Sequence, residues 1–179
     1  MEFFEVVKKR QSYRGGFESK PIPREDLKKI VQAGLDAPSG KNAQTTQFVI
    51  VDDAKLVRTI AAMHPTNKAV QQAQAYIACI IDRHPEPVFE GMSFQVEDCA
   101  AAVENMLLAI TAMGYASVWI DGWLRLNNRA ETIGGLLGLP AGKTLQILLP
   151  VGVPSETMPR PAKKPFDQRA WFNAYGRAE

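Results

Sequence analysis

Tyr76-Ile77-Ala78-Cys79-Ile80-Ile81 is a run of six residues with no polar side chain interleaved. A strand with one wet face alternates apolar and polar residues, whereas a strand that is apolar at every position is buried on both faces. The run therefore predicts an interior strand with other elements packed on either side. Before it, Gln47-Phe48-Val49-Ile50-Val51 predicts a second strand. Asp52 or Asp53 then caps a helix carrying Leu56, Val57, Ile60 and Met63. After it, 116–120 and 144–153 predict two more strands, and Pro150 suggests an edge or a bend in the last.

The helices follow from three- and four-residue spacing. Residues 2–9 form a short helix with Phe3, Val6 and Val7 on one face. Residues 23–37 form another, with Leu27, Ile30, Val31 and Leu35 on a stripe, Glu25 and Asp26 at its positive end, and Pro38 ending it. The strongest helix spans 94–113. Val96, Ala100, Val103, Leu107 and Ile110 recur along it, and Gly114 suits its C-terminal cap. Ala101, Ala102, Met106, Leu108 and Ala109 are uncharged too, so this helix is central, or packs against both a sheet and a partner chain. A shorter helix is capped by Asn127 or Asn128 and stops near Gly138. The polar stretch 64–68 reads as a turn.

The 179 residues, 46% hydrophobic and 22% charged, suit a single domain over 1–179 that buries about 70% of its unfolded surface. Residues 154–179 carry Pro154, Pro159, Pro161 and Pro165 and read as an extended C-terminal arm. Trp171 and Phe172 on that arm call for burial, for which a second subunit offers a surface. A net charge of +2 is too small to point to nucleic acid or an anionic membrane as main partner. No stretch has the length and apolarity of a transmembrane helix, and the N-terminus, with Glu2 and Glu5, lacks a signal core. Cys79 and Cys99 sit in apolar patterns outside any CxxC, as reduced core thiols of a cytoplasmic protein would.

Two polar clusters carry the functional signal. In Arg10-Gln11-Ser12-Tyr13-Arg14, an extended backbone puts Arg10, Ser12 and Arg14 on one side. Two guanidinium forks around a hydroxyl suit a phosphate monoester. Ala37-Pro38-Ser39-Gly40-Lys41-Asn42-Ala43-Gln44 offers amides and hydroxyls suited to a flat polar ring. Together they fit a phosphorylated heterocycle, best of all FMN; a basic pair near a chain start is also compatible with plain solvated surface. GxGxxG after a strand, GxxxxGK[ST] and Gly-x-Ser-x-Gly are all missing. His64 and His84 each precede a proline, a poor setting for a metal ligand or triad base. Chemistry without a protein acid, base or metal belongs to a cofactor.

The ordered set of motifs resembles the FMN-dependent nitroreductase family over nearly the whole chain. Arg10–Arg14 is similar to its phosphate motif, and Ala37–Gln44 followed by Phe-Val-Ile-Val to its second flavin motif. The run Asp98-Cys99-Ala100-Ala101-Ala102-Val103-Glu104-Asn105-Met106-Leu107-Leu108-Ala109 is similar to its central helix, and Gly114–Gly122 to its strand beside the flavin ring. The resemblance implies an α+β fold, a central antiparallel sheet flanked by helices, and an intertwined homodimer with two FMN sites at the interface. It implies that Arg10, Gln11, Ser12 and Arg14 bind the ribityl phosphate end, and that Pro38, Ser39, Gly40, Asn42 and Gln44 reach the flavin from the other subunit. Asn67 matches an asparagine near the ring, and the backbone amides of Asp121 and Gly122 would face its reactive edge. Arg160, Lys163 or Lys164 would complete the phosphate site. Pro38, Asn67 and the Asp121-Gly122 pair also have purely structural readings, as helix stop, turn cap and strand-end turn.

The implied activity passes hydride from NAD(P)H through the flavin to a nitroaromatic or quinone by a ping-pong mechanism. The alternatives are a non-catalytic flavin protein for storage or sensing, and a relative with different flavin chemistry. Where the family's second motif often continues Gln-Pro-Trp, this chain has Gln44-Thr45-Thr46. Phe89, Phe94, Trp119 and Trp123 suit either a substrate pocket or the core.

Overall fold

The computed structural model describes residues 1–177. Four strands form one antiparallel sheet in the order β1-β2-β4-β3. They are β1 (Gln47–Val51), β2 (Ala75–Asp82), β3 (Ala116–Ser117) and β4 (Lys143–Gly152). Strand β2 is buried from end to end except at Asp82, as its composition requires. Ala75, Ile77, Cys79 and Ile81 face one layer, made of helices α2 (Arg24–Leu35) and α5 (Gln95–Ala112). Tyr76 and Ala78 face the opposite layer, where Ile60, Val70 and Ile133 come from α3 (Ala54–Ala62), α4 (Lys68–Gln71) and α6 (Arg129–Leu136). The architecture is the expected α+β sheet flanked by helices.

Helix α5 packs on α2 closely enough that a Cβ on Gly34 would lie 2.9 Å from Met106 Cγ. Asn105 crosses the same seam and donates to the Ala33 carbonyl at 3.1 Å. Cys79 of β2 and Cys99 of α5 are both free and fully buried, and burial together with the neighbouring Cys99 thiol pushes the Cys79 thiol well above its ordinary range. Asp53, not Asp52, caps α3, its carboxylate accepting from the Lys55 and Leu56 amides. Asp52 instead pairs with Arg24 at the start of α2. Asn128 stands at the cap position of α6 but is left-handed, and it accepts from Thr132 through its carbonyl rather than its side chain.

Four expectations need correction. Pro150 lies in an interior strand, opposite Tyr76 of β2. Its neighbour two residues back, Leu148, aims both backbone groups at Ile120 on the β3 side. By the two-residue repeat, the position where Pro150 lacks an N–H also faces β3. That explains the second correction. The predicted strand 116–120 pairs only at Ala116 and Ser117, then once more as a bridge at Ile120. Third, within the turn expected at 64–68, residue 68 already opens the four-residue helix α4. Fourth, in α1 (Phe3–Lys9) only Val6 is buried, while Phe3, Phe4 and Val7 are exposed; Leu35 on α2 is exposed as well.

The arm starts attached: Phe17 bridges Pro154, and the Ser155 amide donates to the Gly16 carbonyl. Further out it packs on itself. The Trp171 and Tyr175 rings lie 4.4 Å apart, and Phe172 remains largely exposed.

Tyr115 donates to the Asp26 carboxylate at 2.7 Å, tying the entry of β3 to α2. The hydrogen bond holds Asp26 below the usual carboxylate range, while burial and the adjacent carboxylate push Tyr115 up to about 12. A depressed carboxylate stabilises above its unfolded pKa and loses that contribution as pH falls through the folded value; a raised phenol stabilises below about 10 and loses it as pH rises towards its folded value. Tyr115→Phe is therefore expected to destabilise the protein at neutral pH. In urea unfolding, the gap from wild type should be constant near neutrality and narrow at both pH extremes. A gap independent of pH contradicts the coupling.

Candidate functional site

The N-terminal cluster leaves α1 as extended backbone pinned along β3. The Tyr13 amide donates to the Ser117 carbonyl at 2.9 Å, and the buried Tyr13 ring stacks on Phe17. The Gly16 amide donates to the Glu156 carboxylate at 3.0 Å. With Tyr13 turned inward, Ser12 and Arg14 point out and are exposed, as the alternation predicts. Arg10 is half-buried and pairs with Glu104 of α5 at 3.2 Å. A guanidinium has five N–H donors, so one carboxylate does not exhaust it.

Gln11 turns the other way. Its amide nitrogen reaches the Met158 carbonyl only at 3.5 Å, and its buried Oε1 has no partner. Its free group is therefore an acceptor, which suits an N–H rather than a phosphate. Arg160 shares a cleft of about 500 Å³ with Glu5, Lys8, Lys9 and Gln11. Lys163 and Lys164 stand exposed further along the arm, outside that cleft. Of the three C-terminal cations, Arg160 is the one brought beside the N-terminal cluster.

The second cluster forms a tight loop at the C-terminal end of α2. Lys41, Asn42 and Gln44 all have left-handed backbones (φ 52°, 57° and 50°), a conformation costing about 1–2 kcal/mol per non-glycine residue. Such a loop persists only when its surroundings over-determine it. Here the Gly40 amide donates at 2.9 Å to the buried Asp98 carboxylate on the first turn of α5. The Gln44 amide donates to Ser39 Oγ at 3.0 Å. The Phe94 ring presses on Gly40, where a Cβ would lie 2.6 Å from Cδ2, and Lys41 Nζ sits 4.8 Å above the Phe89 ring. Pro38, Ser39 and Gln44 line a cleft of about 360 Å³ with Thr45, Thr46 and Phe48. The Thr45 and Thr46 hydroxyl oxygens are buried and without a partner.

A third group gathers beyond β3. The His64 ring stacks on Trp123, centroids 4.7 Å apart, which brings the 64–67 loop against residues 121–123. The Arg129 guanidinium lies 4.9 Å from the same indole and donates to the Trp123 carbonyl. Burial, and secondarily Arg129, hold His64 below its ordinary pKa, and its Nδ1 accepts from the Asn67 amide at 3.2 Å. Asn67 Oδ1 caps α4 by accepting from the Val70 amide, so the structural reading of Asn67 holds for its oxygen. Asp121 is forked by Arg125 at 2.6 and 2.8 Å. Gly122 has nothing within 4 Å of where a Cβ would stand, leaving open space beside the backbone. The buried Trp123 Nε1 has no partner.

The single chain thus stacks His64, of the turn that ends at Asn67, on Trp123 next to Gly122, and brings Arg160 beside Gln11, but keeps the two polar clusters in separate clefts. Both are fixed to α5, at Asp98 and Glu104, about 9 Å apart along the helix axis. Trp119 packs on the α2/α5 core and Phe94 on Gly40, while Phe89 lies under Lys41. Thr45 and Thr46 are not among the site residues expected from sequence, where only the polar pair following Gln44 marked them; Trp123, expected in a substrate pocket or the core, stacks on His64. The donor set fits a phosphorylated planar ring: guanidinium groups and a hydroxyl at one end, open backbone and an indole N–H at another. Among the described residues, no group of three His, Cys, Asp or Glu side chains has metal-binding geometry. Among them too, no helix is long and apolar enough to cross a membrane.

The Nitroreductase family model matches residues 7–153. A relative from Methanothermobacter thermautotrophicus, provisionally named NADH dehydrogenase/NAD(P)H nitroreductase, is 30% identical over 87% of this chain and 79% of its own length. An NADPH-dependent oxidoreductase of Staphylococcus aureus is 27% identical over 96% of this chain and 73% of its own. The crystal structure of nitroreductase A from Vibrio parahaemolyticus superposes with a TM-score of 0.81 at 26% identity, covering 100% of this chain and 79% of that one. The chain belongs to the nitroreductase family.

The Gly40–Asp98 contact gives a direct test of how the loop is held. Asp98→Ala is expected to destabilise the protein by about 1.5–3 kcal/mol, the range for a buried charge-assisted hydrogen bond. Accelerated amide exchange at Gly40 should accompany it. Unchanged exchange at Gly40 would show that other contacts fix the loop.

Proposed function

We propose that the protein is an FMN-dependent NAD(P)H oxidoreductase, active as a homodimer in the cytoplasm, with a nitroaromatic or quinone as electron acceptor. The observation that carries this reading is the outward-facing row of Ser12 and Arg14 beside the half-buried Arg10, pinned by Tyr13, in a chain of the nitroreductase family. Relatives named for NAD(P)H and NADPH support the choice of reductant.

In this reading a bound flavin takes an electron pair from the nicotinamide nucleotide and gives it to the acceptor. The protein's residues bind and orient. Arg10, Ser12 and Arg14 hold the phosphate, with Arg160 as the arm's contribution; Lys163 and Lys164 remain lesser candidates. Gln11 serves at that end as an acceptor. Asn67 and the backbone of Asp121 and Gly122 approach the ring. Pro38, Ser39, Gly40, Asn42 and Gln44 approach from the second subunit, which accounts for the separation of the two clusters within one chain. The exposed Phe3, Phe4 and Val7 of α1, with Phe166, Phe172 and Tyr175 of the arm, supply apolar surface for that dimer. No side-chain acid or base is assigned. The neutral His64 stacked on Trp123 holds the loop bearing Asn67 in place.

The purified protein is expected to carry about one FMN per chain, identified chromatographically after denaturation. A charge-assisted phosphate contact contributes roughly 1.5–3 kcal/mol, so Arg10→Ala should weaken FMN about ten- to a hundred-fold. Lys41→Ala should have little effect. Glu104→Ala serves as control: an equal loss there would mean that Arg10 acts only through its carboxylate partner.

Reduced nicotinamide nucleotide should bleach the flavin anaerobically before any acceptor is added, and a quinone or nitroaromatic should restore the colour. Double-reciprocal plots should be parallel. Intersecting lines without bleaching would exclude the alternating mechanism, and a flavin that never turns over would favour a storage or sensing role.

A further inference from the structure

Thr45 and Thr46 stand between the strained loop and the first residue of β1. Both line the cleft that also holds Pro38, Ser39 and Gln44. Both hydroxyl oxygens are shut off from water and bonded to nothing. A buried hydroxyl without a partner costs stability that a valine of the same shape would not, because the hydroxyl has lost water and gained nothing. Two in succession, at the wall of a cleft, is a pattern expected where the missing partner is a ligand.

Three other features of the cleft agree. The neighbouring polar groups are already occupied: Ser39 Oγ accepts from the Gln44 amide, and Asp98 accepts from Gly40. The loop is fixed at both ends of its tight turn, so the two threonines begin a strand whose position is set. Threonine χ1 has few staggered wells, and a turn of about 120° carries the hydroxyl to the position its methyl or hydrogen held, so the oxygen can be re-aimed without backbone movement.

We infer that Thr45 and Thr46 are hydrogen-bonding residues for the flavin at the wall of this cleft, an inference that rests on the flavin reading of the 37–44 loop. Each hydroxyl makes one hydrogen bond to the polar part of the cofactor on binding, and neither makes one in the FMN-free protein. The two threonines thereby use, for recognition, hydrogen-bonding capacity that folding leaves unspent.

The test uses Thr45→Val and Thr46→Val, with Thr45→Ser and Thr46→Ser as variants that keep the hydroxyl. Thermal melting of the FMN-stripped protein and FMN titration by flavin fluorescence are read on each. The valine variants are expected to melt no lower than wild type without FMN, and to bind FMN about three- to tenfold more weakly, the fold-change of one neutral hydrogen bond each. The serine variants should bind within about twofold of wild type.

Wild-type affinity in both valine variants overturns the inference while leaving the flavin reading intact. A valine variant that melts clearly lower without FMN overturns it too, because the hydroxyl then has a partner in the protein. So does one that weakens self-association without changing FMN affinity, which assigns the hydroxyl to the subunit interface. Wild-type protein that takes up no FMN at all removes the flavin reading, and the inference with it.

Discussion

Strand β2 has no side that water can reach, and satisfying it sets most of the architecture. Its backbone groups need a strand on either edge, supplied by β1 and β4. Its side chains need apolar cover on both faces, supplied by α2 and α5 on one and by α3, α4 and α6 on the other. A chain of this length that spends so many apolar residues on one sheet and two layers leaves its polar groups to the loops at the margins. The candidate site residues sit there, on α1–β3 contacts, on the α2–β1 connection, before α4, just beyond β3 and on the C-terminal arm.

What the sequence made legible was whatever repeats. The all-apolar strand, the amphipathic helix at 24–35 and the long helix at 95–112 all carry a period, and each lies within a residue or two of where the pattern puts it. The alternation of Arg10, Ser12 and Arg14 was equally legible, since Tyr13 between them is the buried one. What could not be read were contacts between residues far apart in the chain. Nothing local announces that Asp98 holds Gly40, that Glu104 takes Arg10, or that His64 lies on Trp123. Arg160 stood out from Lys163 and Lys164 only once the arm's path placed it beside Gln11.

Helix α5 acts as the common mount for the two polar clusters. Asp98 holds one through the Gly40 amide and Glu104 pairs with Arg10 of the other, so both clusters touch the same helix, while Tyr13 ties the second to β3. The same helix is buried against the sheet through Cys99, Val103, Met106 and Ile110, which makes it one of the least deformable parts of the molecule. A strained loop at 40–44 and an extended stretch at 10–14 are both poor at holding position alone. Fastened to one rigid rod, they become a matched pair.

Pro150 has a consequence that lies in time rather than in geometry. Its missing donor interrupts the outer ladder between Ser117 and Ile120, at the margin of a sheet whose centre is sealed on every side. Opening a protein locally costs less where the ladder is already discontinuous. The backbone running from Val118 towards Gly122 is therefore expected to open at lower cost than β2, which is paired along both edges. One proline in an interior strand gives a sealed sheet a responsive border, next to the Asp121–Gly122 segment that we propose approaches the flavin.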